Sequence, residues 1–236
     1  MNYLGGKWRI GKAIALAIKA HTTKRTCYVE PFLGSGSSFY WNSPHFKRVL
    51  IGDLHKPLIM MYQEAANGWK PSTVISAKYY NLLKRSSPSH IQGFIGFSCS
   101  YAGKWFGGYD PREIEPGRRS LIKVARRMPP NVAGEIRNCS YTKWDDEVTR
   151  DCVVYCDPPY ASTTSYTTSI NKEVFWNLMG QWSRRGAAVF VSEYEAPEDW
   201  TCIWQSVQLR SFGNGKTRRT IEKLLDRKST RLNSSH

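Results

Sequence analysis

Five residues, Cys152-Val153-Val154-Tyr155-Cys156, constrain the fold of this chain more than any other stretch. They are apolar or β-branched without alternation, so a strand built from them must be covered on both faces. A parallel sheet with helices packed against it meets that condition. The run stops at Asp157-Pro158-Pro159-Tyr160. Proline fixes its own φ and restricts the preceding residue to extended geometry, so Asp157 is predicted to stand rigidly at the strand's carboxyl end. Ligands of open α/β sheets bind along that edge. The Pro158 carbonyl precedes an imino residue and can serve as a second acceptor. Two fixed acceptors beside the Tyr160 ring suit a planar base with an exocyclic amino group. Taken alone, the four residues would equally make a strand and a rigid Asp-Pro turn.

Earlier in the chain, Tyr3-Leu4-Gly5-Gly6-Lys7 reads as a glycine-rich turn between an aromatic ring and a cation. Ile10, Ile14 and Ile18 then recur every four residues, which predicts an amphipathic helix ending near His21. Cys27-Tyr28-Val29-Glu30 reads as a strand entering Pro31-Phe32-Leu33-Gly34-Ser35-Gly36, a glycine turn at a helix start. Gly34 and Gly36 let a ligand approach the backbone, and the helix offers free N–H groups. A dinucleotide fingerprint would want a third glycine where Phe39 stands. Val49-Leu50-Ile51-Gly52-Asp53 is a second apolar strand ending in an acid, about 20 residues on, where an acid meets ribose hydroxyls. Strand, turn, helix, strand and acid together predict nucleoside binding without a dinucleotide's pyrophosphate.

Asn67-Gly68-Trp69-Lys70-Pro71 marks a boundary, beyond which strand–helix alternation fades to about Arg137. Residues 93–119 mix Phe94, Phe97, Tyr101, Trp105, Phe106 and Tyr109 with glycines and with Lys104, Arg112, Arg118 and Arg119. Lys123, Arg126 and Arg127 continue the basic character along a helix. Aromatics among cations suit nucleic acid, and a small aromatic core under a solvated basic helix is the competing reading. Lys104 is the candidate for reading bases, and Arg118 and Arg119 for holding phosphates. The alternation resumes at Cys139-Ser140-Tyr141, and residues 161–170 read as a polar lid over the pocket. Residues 186–192 form another buried strand, and 203–212 with 220–225 a final strand pair.

A net charge of +15 with 13% aromatic residues favours a nucleic-acid partner. Six cysteines without Cys-x-x-Cys spacing predict reduced thiols in a cytoplasmic protein, and the scattered histidines give no zinc signature. No run is long and apolar enough for a bilayer, and no secretory signal is seen. Residues 226–236 lack apolar periodicity and resemble translated sequencing adapter, so they are expected to be a dispensable, non-native tail.

Taken in order, Tyr3 to Lys7, Glu30 to Gly36, Asp53, Asp157 to Tyr160 and the closing Arg219 to Leu224 resemble the motifs of Dam-type, D12-class DNA adenine-N6 methyltransferases, over residues 1–225. Members of that family usually carry Trp at the position of Tyr3, and the middle region is closer to phage members. The resemblance implies an α/β, Rossmann-like S-adenosylmethionine-dependent methyltransferase sheet, with core 1–66 and 138–225 and a target-recognition insertion at 67–137. It implies S-adenosylmethionine bound by Tyr3, Lys7, Gly34, Gly36, Asp53 and Asp157, and catalysis by Asp157, Pro158 and Tyr160. It also implies a monomer acting on double-stranded DNA, with no metal and no membrane. Cytosine-N4 or RNA-adenine methylation, and a DNA-binding relative without catalysis, are the alternatives the residues leave open.

Overall fold

The computed structural model describes residues 3, 5–128, 135–159, 170–211 and 217–227. In chain order the elements are α1 (Gly11–Ala20), β1 (Cys27–Glu30), α2 (Ser37–Asn42), β2 (Arg48–Asp53), α3 (Lys56–Ala66), α4 (Ala77–Leu83), α5 (His90–Ser98) and α6 (Ile114–Ala125). There follow β3 (Ile136–Asn138), β4 (Cys152–Cys156), α7 (Lys172–Arg184), β5 (Ala188–Ser192), β6 (Trp200–Ser211) and β7 (Thr217–Arg227). They build one seven-stranded sheet in the order β3-β2-β1-β4-β5-β7-β6. The first five strands are parallel, and β7 runs antiparallel to both β5 and β6. The expected Rossmann-like α/β sheet is therefore present, and its order reverses between β1 and β4.

All-apolar strands bury both faces, and successive residues go to opposite sides. Tyr28, Val153, Tyr155 and Phe190 face a core shared with Ile14 and Ile18 of α1 and with residues of α2, α3, α5 and α6. Val29, Val154, Cys156, Val189 and Val191 face Phe175, Met179 and Trp182 of α7, together with Tyr141 and Trp144 of a 3₁₀ turn. The four-residue isoleucine spacing thus forms the predicted helix, with Ile14 and Ile18 buried.

Residues between the expected boundaries 67 and 137 pack closely on the sheet's helical cover. α5 crosses α3 so tightly that a Cβ on Gly93 would lie 2.1 Å from the Pro57 carbonyl oxygen. Phe94 and Phe97 of α5 and Leu121 and Val124 of α6 join the main core. The sheet resumes at Ile136, inside that interval, because β3 pairs with the end of β2 from Ile51 to Asp53. At 139–141, where alternation was expected to resume, β3 has already ended and Tyr141 opens a 3₁₀ turn capped by the Ser140 hydroxyl.

The expected tail is corrected at its first two residues. Asp226 is in register with Phe190 in β7, and Arg227 donates to Asp199 (2.7 Å) and to the Gly180 carbonyl (2.9 Å). Residues 228–236 lie outside the described residues. These contacts are worth roughly 1–2 kcal/mol. A chain ending at Leu225 should therefore melt about 2–8 °C below one ending at Arg227. Equal melting temperatures in a calorimetric comparison would return Asp226 and Arg227 to the tail.

Candidate active site

Where β1 and β4 lie side by side and the strand order reverses, their carboxyl ends open one crevice. Asp157 follows β4, and its side chain is 19% exposed at the crevice wall. Pro158 is buried behind it. Tyr160 and the lid predicted over 161–170 fall outside the described residues except for Ile170.

Lys7 reaches this point from the other end of the chain. Its carbonyl accepts from the N–H groups of Ile10 and Gly11, and its own N–H donates to the Ser37 hydroxyl (3.2 Å). The side chain is thereby sent inward and is only 4% exposed. Its ammonium lies 2.7 Å from Glu222 Oε2 and 3.3 Å from Asp157 Oδ1. Burial alone would lower the Lys7 pKa, but Asp157 and Glu222 outweigh it and raise it. For Asp157, burial drives the carboxyl upward, Lys7 pulls it back, and Glu222 raises it again, to about 6. Asp157 is therefore mostly ionised at neutral pH and sits close to its titration point.

The glycine turn has the geometry its sequence implied. Gly34 (φ 47°) and Gly36 (φ 68°) both occupy the left-handed region. A Cβ on Gly34 would lie 3.2 Å from the Tyr3 ring, and one on Gly36 3.1 Å from the Tyr62 hydroxyl. Tyr3 stands over the turn and also meets Phe97, with ring centroids 4.8 Å apart. The Gly34 N–H donates to Asp53 Oδ2 (3.0 Å), and the His55 N–H donates to Oδ1 (2.9 Å). Burial raises the Asp53 pKa, and these backbone donors oppose it. A carboxylate offers about four lone-pair sites. Asp53 can thus brace the turn and still accept from a ligand hydroxyl. The missing third glycine has a packing reason, since Phe39 is fully buried in the core.

The crevice has two further acids, Glu222 and Glu30, which lie in stretches that resemble the family's motifs but were not expected as site residues. Glu222, 2% exposed, completes the Lys7 bridge. Its local sign was an inverted pattern, a buried acid beside Ile221, which is 46% exposed. Glu30, also buried, accepts from the Tyr28 hydroxyl (2.6 Å), and burial pushes its pKa well up. Among the described residues no group of three His, Cys, Asp or Glu side chains could hold a metal ion.

The predicted DNA contacts separate into different kinds. Phe94, Phe97 and Phe106 are buried, and Trp105 packs on His55 and Phe97, so most of these aromatics are core. Tyr101 is exposed, and Lys104 is exposed in the same short loop. Arg118 does not fit a free phosphate contact. It donates to the Pro71 carbonyl (3.1 Å), lies 3.7 Å from Glu115 and is only 26% exposed. Arg119 is 71% exposed but also faces Glu115, at 3.8 Å.

A methyltransferase-like sheet with an acidic crevice at its switch point has relatives among proteins of known class. The chain matches the D12 class N6 adenine-specific DNA methyltransferase family over residues 3–94 and 116–196, and it belongs to that family. It is 26% identical over 190 residues to the DNA adenine methylase of Haemophilus influenzae, a match covering 68% of this chain and 63% of that protein. Against the DNA adenine methylase of Escherichia coli it is 28% identical over 195 residues, covering 72% and 69%. The Vibrio cholerae protein of the same name is 29% identical, over 69% of this chain and 68% of its own length. The unmatched interval 95–115 includes Tyr101 and Lys104.

Asp157 gives a direct electrostatic test. Its folded value of about 6 exceeds the ordinary 3.8, so between those values the folded state holds more protons and stability falls as pH rises. Carbon-13 NMR of the carboxyl should show a midpoint near 6. Glu222→Gln should move that midpoint down and Lys7→Met should move it up. An unmoved midpoint in both variants would mean the three groups are not electrostatically linked.

Proposed function

We propose that this chain transfers a methyl group from S-adenosylmethionine to the N6 amino group of an adenine in a specific sequence of double-stranded DNA. The carrying observation is the Asp157 carboxylate, fixed at the switch point between β4 and the prolines and held by Lys7. The target base, extruded from the duplex at a cost of a few kcal/mol, would present its amino group there. An adenine amine is a weak nucleophile because its lone pair is delocalised into the ring. Asp157 and the Pro158 carbonyl, accepting its two hydrogens, favour the pyramidal nitrogen that can attack. Tyr160 stacking on the base would offset roughly 1–3 kcal/mol of the extrusion cost.

S-adenosylmethionine, when bound, supplies an electrophilic methyl group on a sulfonium. The protein's part is to hold the amine in line with it, and such positioning can supply ~7–11 kcal/mol. Gly34 and Gly36 give the turn its left-handed backbone and its close packing against Tyr3 and Tyr62, Asp53 has acceptor capacity for a ribose hydroxyl, and Tyr3 offers a ring face beside Gly34. The six free thiols suit a reducing cytoplasm. We read the enzyme as acting there as a monomer.

Nucleoside mass spectrometry of duplex DNA treated with the protein and S-adenosylmethionine should show N6-methyladenine. Asp157→Asn, which replaces an acceptor oxygen by a donor, should lose at least ~100-fold in turnover while keeping its melting profile. Unmethylated adenine, or near-parental turnover in the variant, would overturn the assignment.

Asp53→Ala should weaken S-adenosylmethionine binding in calorimetry by about tenfold or more, as loss of one charge-assisted hydrogen bond implies. DNA affinity should change little. Unchanged cofactor affinity would remove Asp53 from the site.

A further inference from the structure

Several arginines of this chain are balanced by carboxylates: Arg48, Arg112, Arg118, Arg119, Arg137, Arg185 and Arg227 all form ion pairs. Lys12, Lys123 and Arg127 are exposed and form no ion pair among the described residues. They converge on one set of rings. The Lys123 ammonium is 4.5 Å from the Tyr40 centroid, 5.6 Å from that of Trp8 and 5.9 Å from that of Trp41. The Arg127 guanidinium lies 4.8 Å over Tyr40, and the Lys12 ammonium 6.0 Å over Trp41.

Local structure explains part of this cluster. Lys123 and Arg127 lie at the end of α6, where cations offset the helix dipole, and cation–π contact holds them to the rings. Lys12 shares the ring contact, with Trp41, but not the dipole: it stands in the first turn of α1, where a cation is unfavourable. Three like charges around three rings also repel one another. Exposed cations gathered on ring faces, with no carboxylate to balance them among the described residues, call for an anionic partner.

The position of the cluster supplies the kind of partner. Trp8 directly follows Lys7, whose ammonium contacts Asp157. Tyr40 and Trp41 belong to α2, the helix that starts from the Gly36 turn, and a Cβ on Gly36 would lie 3.0 Å from Val124 of α6. The start of α1, α2 and the end of α6 therefore flank the crevice on its carboxyl-end side. The geometry points to this surface as a phosphate-backbone contact that holds DNA beside the methyl-transfer crevice, an inference that rests on the DNA-methyltransferase reading above. It reads no bases; cations that meet phosphates bind all duplexes alike.

The test is the salt dependence of duplex binding in the full chain, for cognate and random sequences, with Lys12→Ala, Lys123→Ala and Arg127→Ala combined. Each lost phosphate contact should reduce the slope of log affinity against log salt by about 0.9. Affinity at ~0.1 M salt should fall on the order of a hundredfold for both duplexes. S-adenosylmethionine affinity should be unchanged. A charge-preserving control, Lys123→Arg with Arg127→Lys, should keep the parental slope, separating charge from packing. A parental slope in the alanine variant, or a slope lost equally in the control, would overturn the surface while leaving the enzyme reading intact. A parent protein that neither binds nor methylates duplex DNA would overturn both.

Discussion

The buried ammonium of Lys7, held between Asp157 and Glu222, is the interaction on which the site depends. It joins the turn before α1, the end of β4 and the middle of β7, so residues 215 positions apart meet in one ion bridge. Such a bridge is a poor source of stability. Taking three charges out of water costs several kcal/mol each before their attraction repays it, whereas removing one partner costs roughly 3–5 kcal/mol. What it provides is placement. The parallel strands bring Asp157 to the crevice, and the antiparallel β7 is the element that brings Glu222 to the same ammonium.

That arrangement shows why some of the site could be read from the chain and some could not. Asp157, Asp53, Gly34 and Gly36 are defined by what adjoins them: an apolar strand before, a proline or glycine after. Their geometry is local, and the structure places all four around the β1–β4 switch point and its neighbouring strand end. Glu222 has no such local frame. The resemblance over Arg219 to Leu224 marks its segment, but its role arises only when β7, paired with β6, closes on β5. The adapter-like reading of the tail erred at Asp226 and Arg227 for a related reason, since strand pairing with Phe190 depends on a distant partner.

The helical face supplies a second lesson, concerning cations of equal appearance. Ile114, Gly117, Leu121 and Val124 are the buried stripe of α6. Arg118 lies four residues from Ile114 and one from Gly117, beside that stripe, and is drawn to the Pro71 carbonyl. Arg119 turns a further 100° away into solvent. Helical periodicity alone could have separated the two. The aromatics of α5 and the following loop could not be sorted that way, because their burial depends on how closely glycines let α3 approach.

Electrostatics divides the molecule into two zones that would exclude each other's ligand. The chain carries +15 overall, yet Lys7 is the single cation in the buried set among the described residues, against Glu30, Asp110, Glu193 and Glu222. Burial holds Glu30 towards its protonated form, but Asp53, Asp157 and Glu222 still outnumber Lys7 in the crevice. A phosphate entering there would face net repulsion in a medium that screens poorly, while a cationic methyl donor would be attracted. Outside, Lys12, Lys123 and Arg127, which form no ion pair among the described residues, reverse the sign. On the proposed reading a polyanion would be held at the rim, and of its parts only an uncharged base could enter the crevice without crossing an unfavourable field. Base extrusion, in that reading, would follow from charge as well as from shape, since the phosphates would stay at the lysines and arginine of the rim.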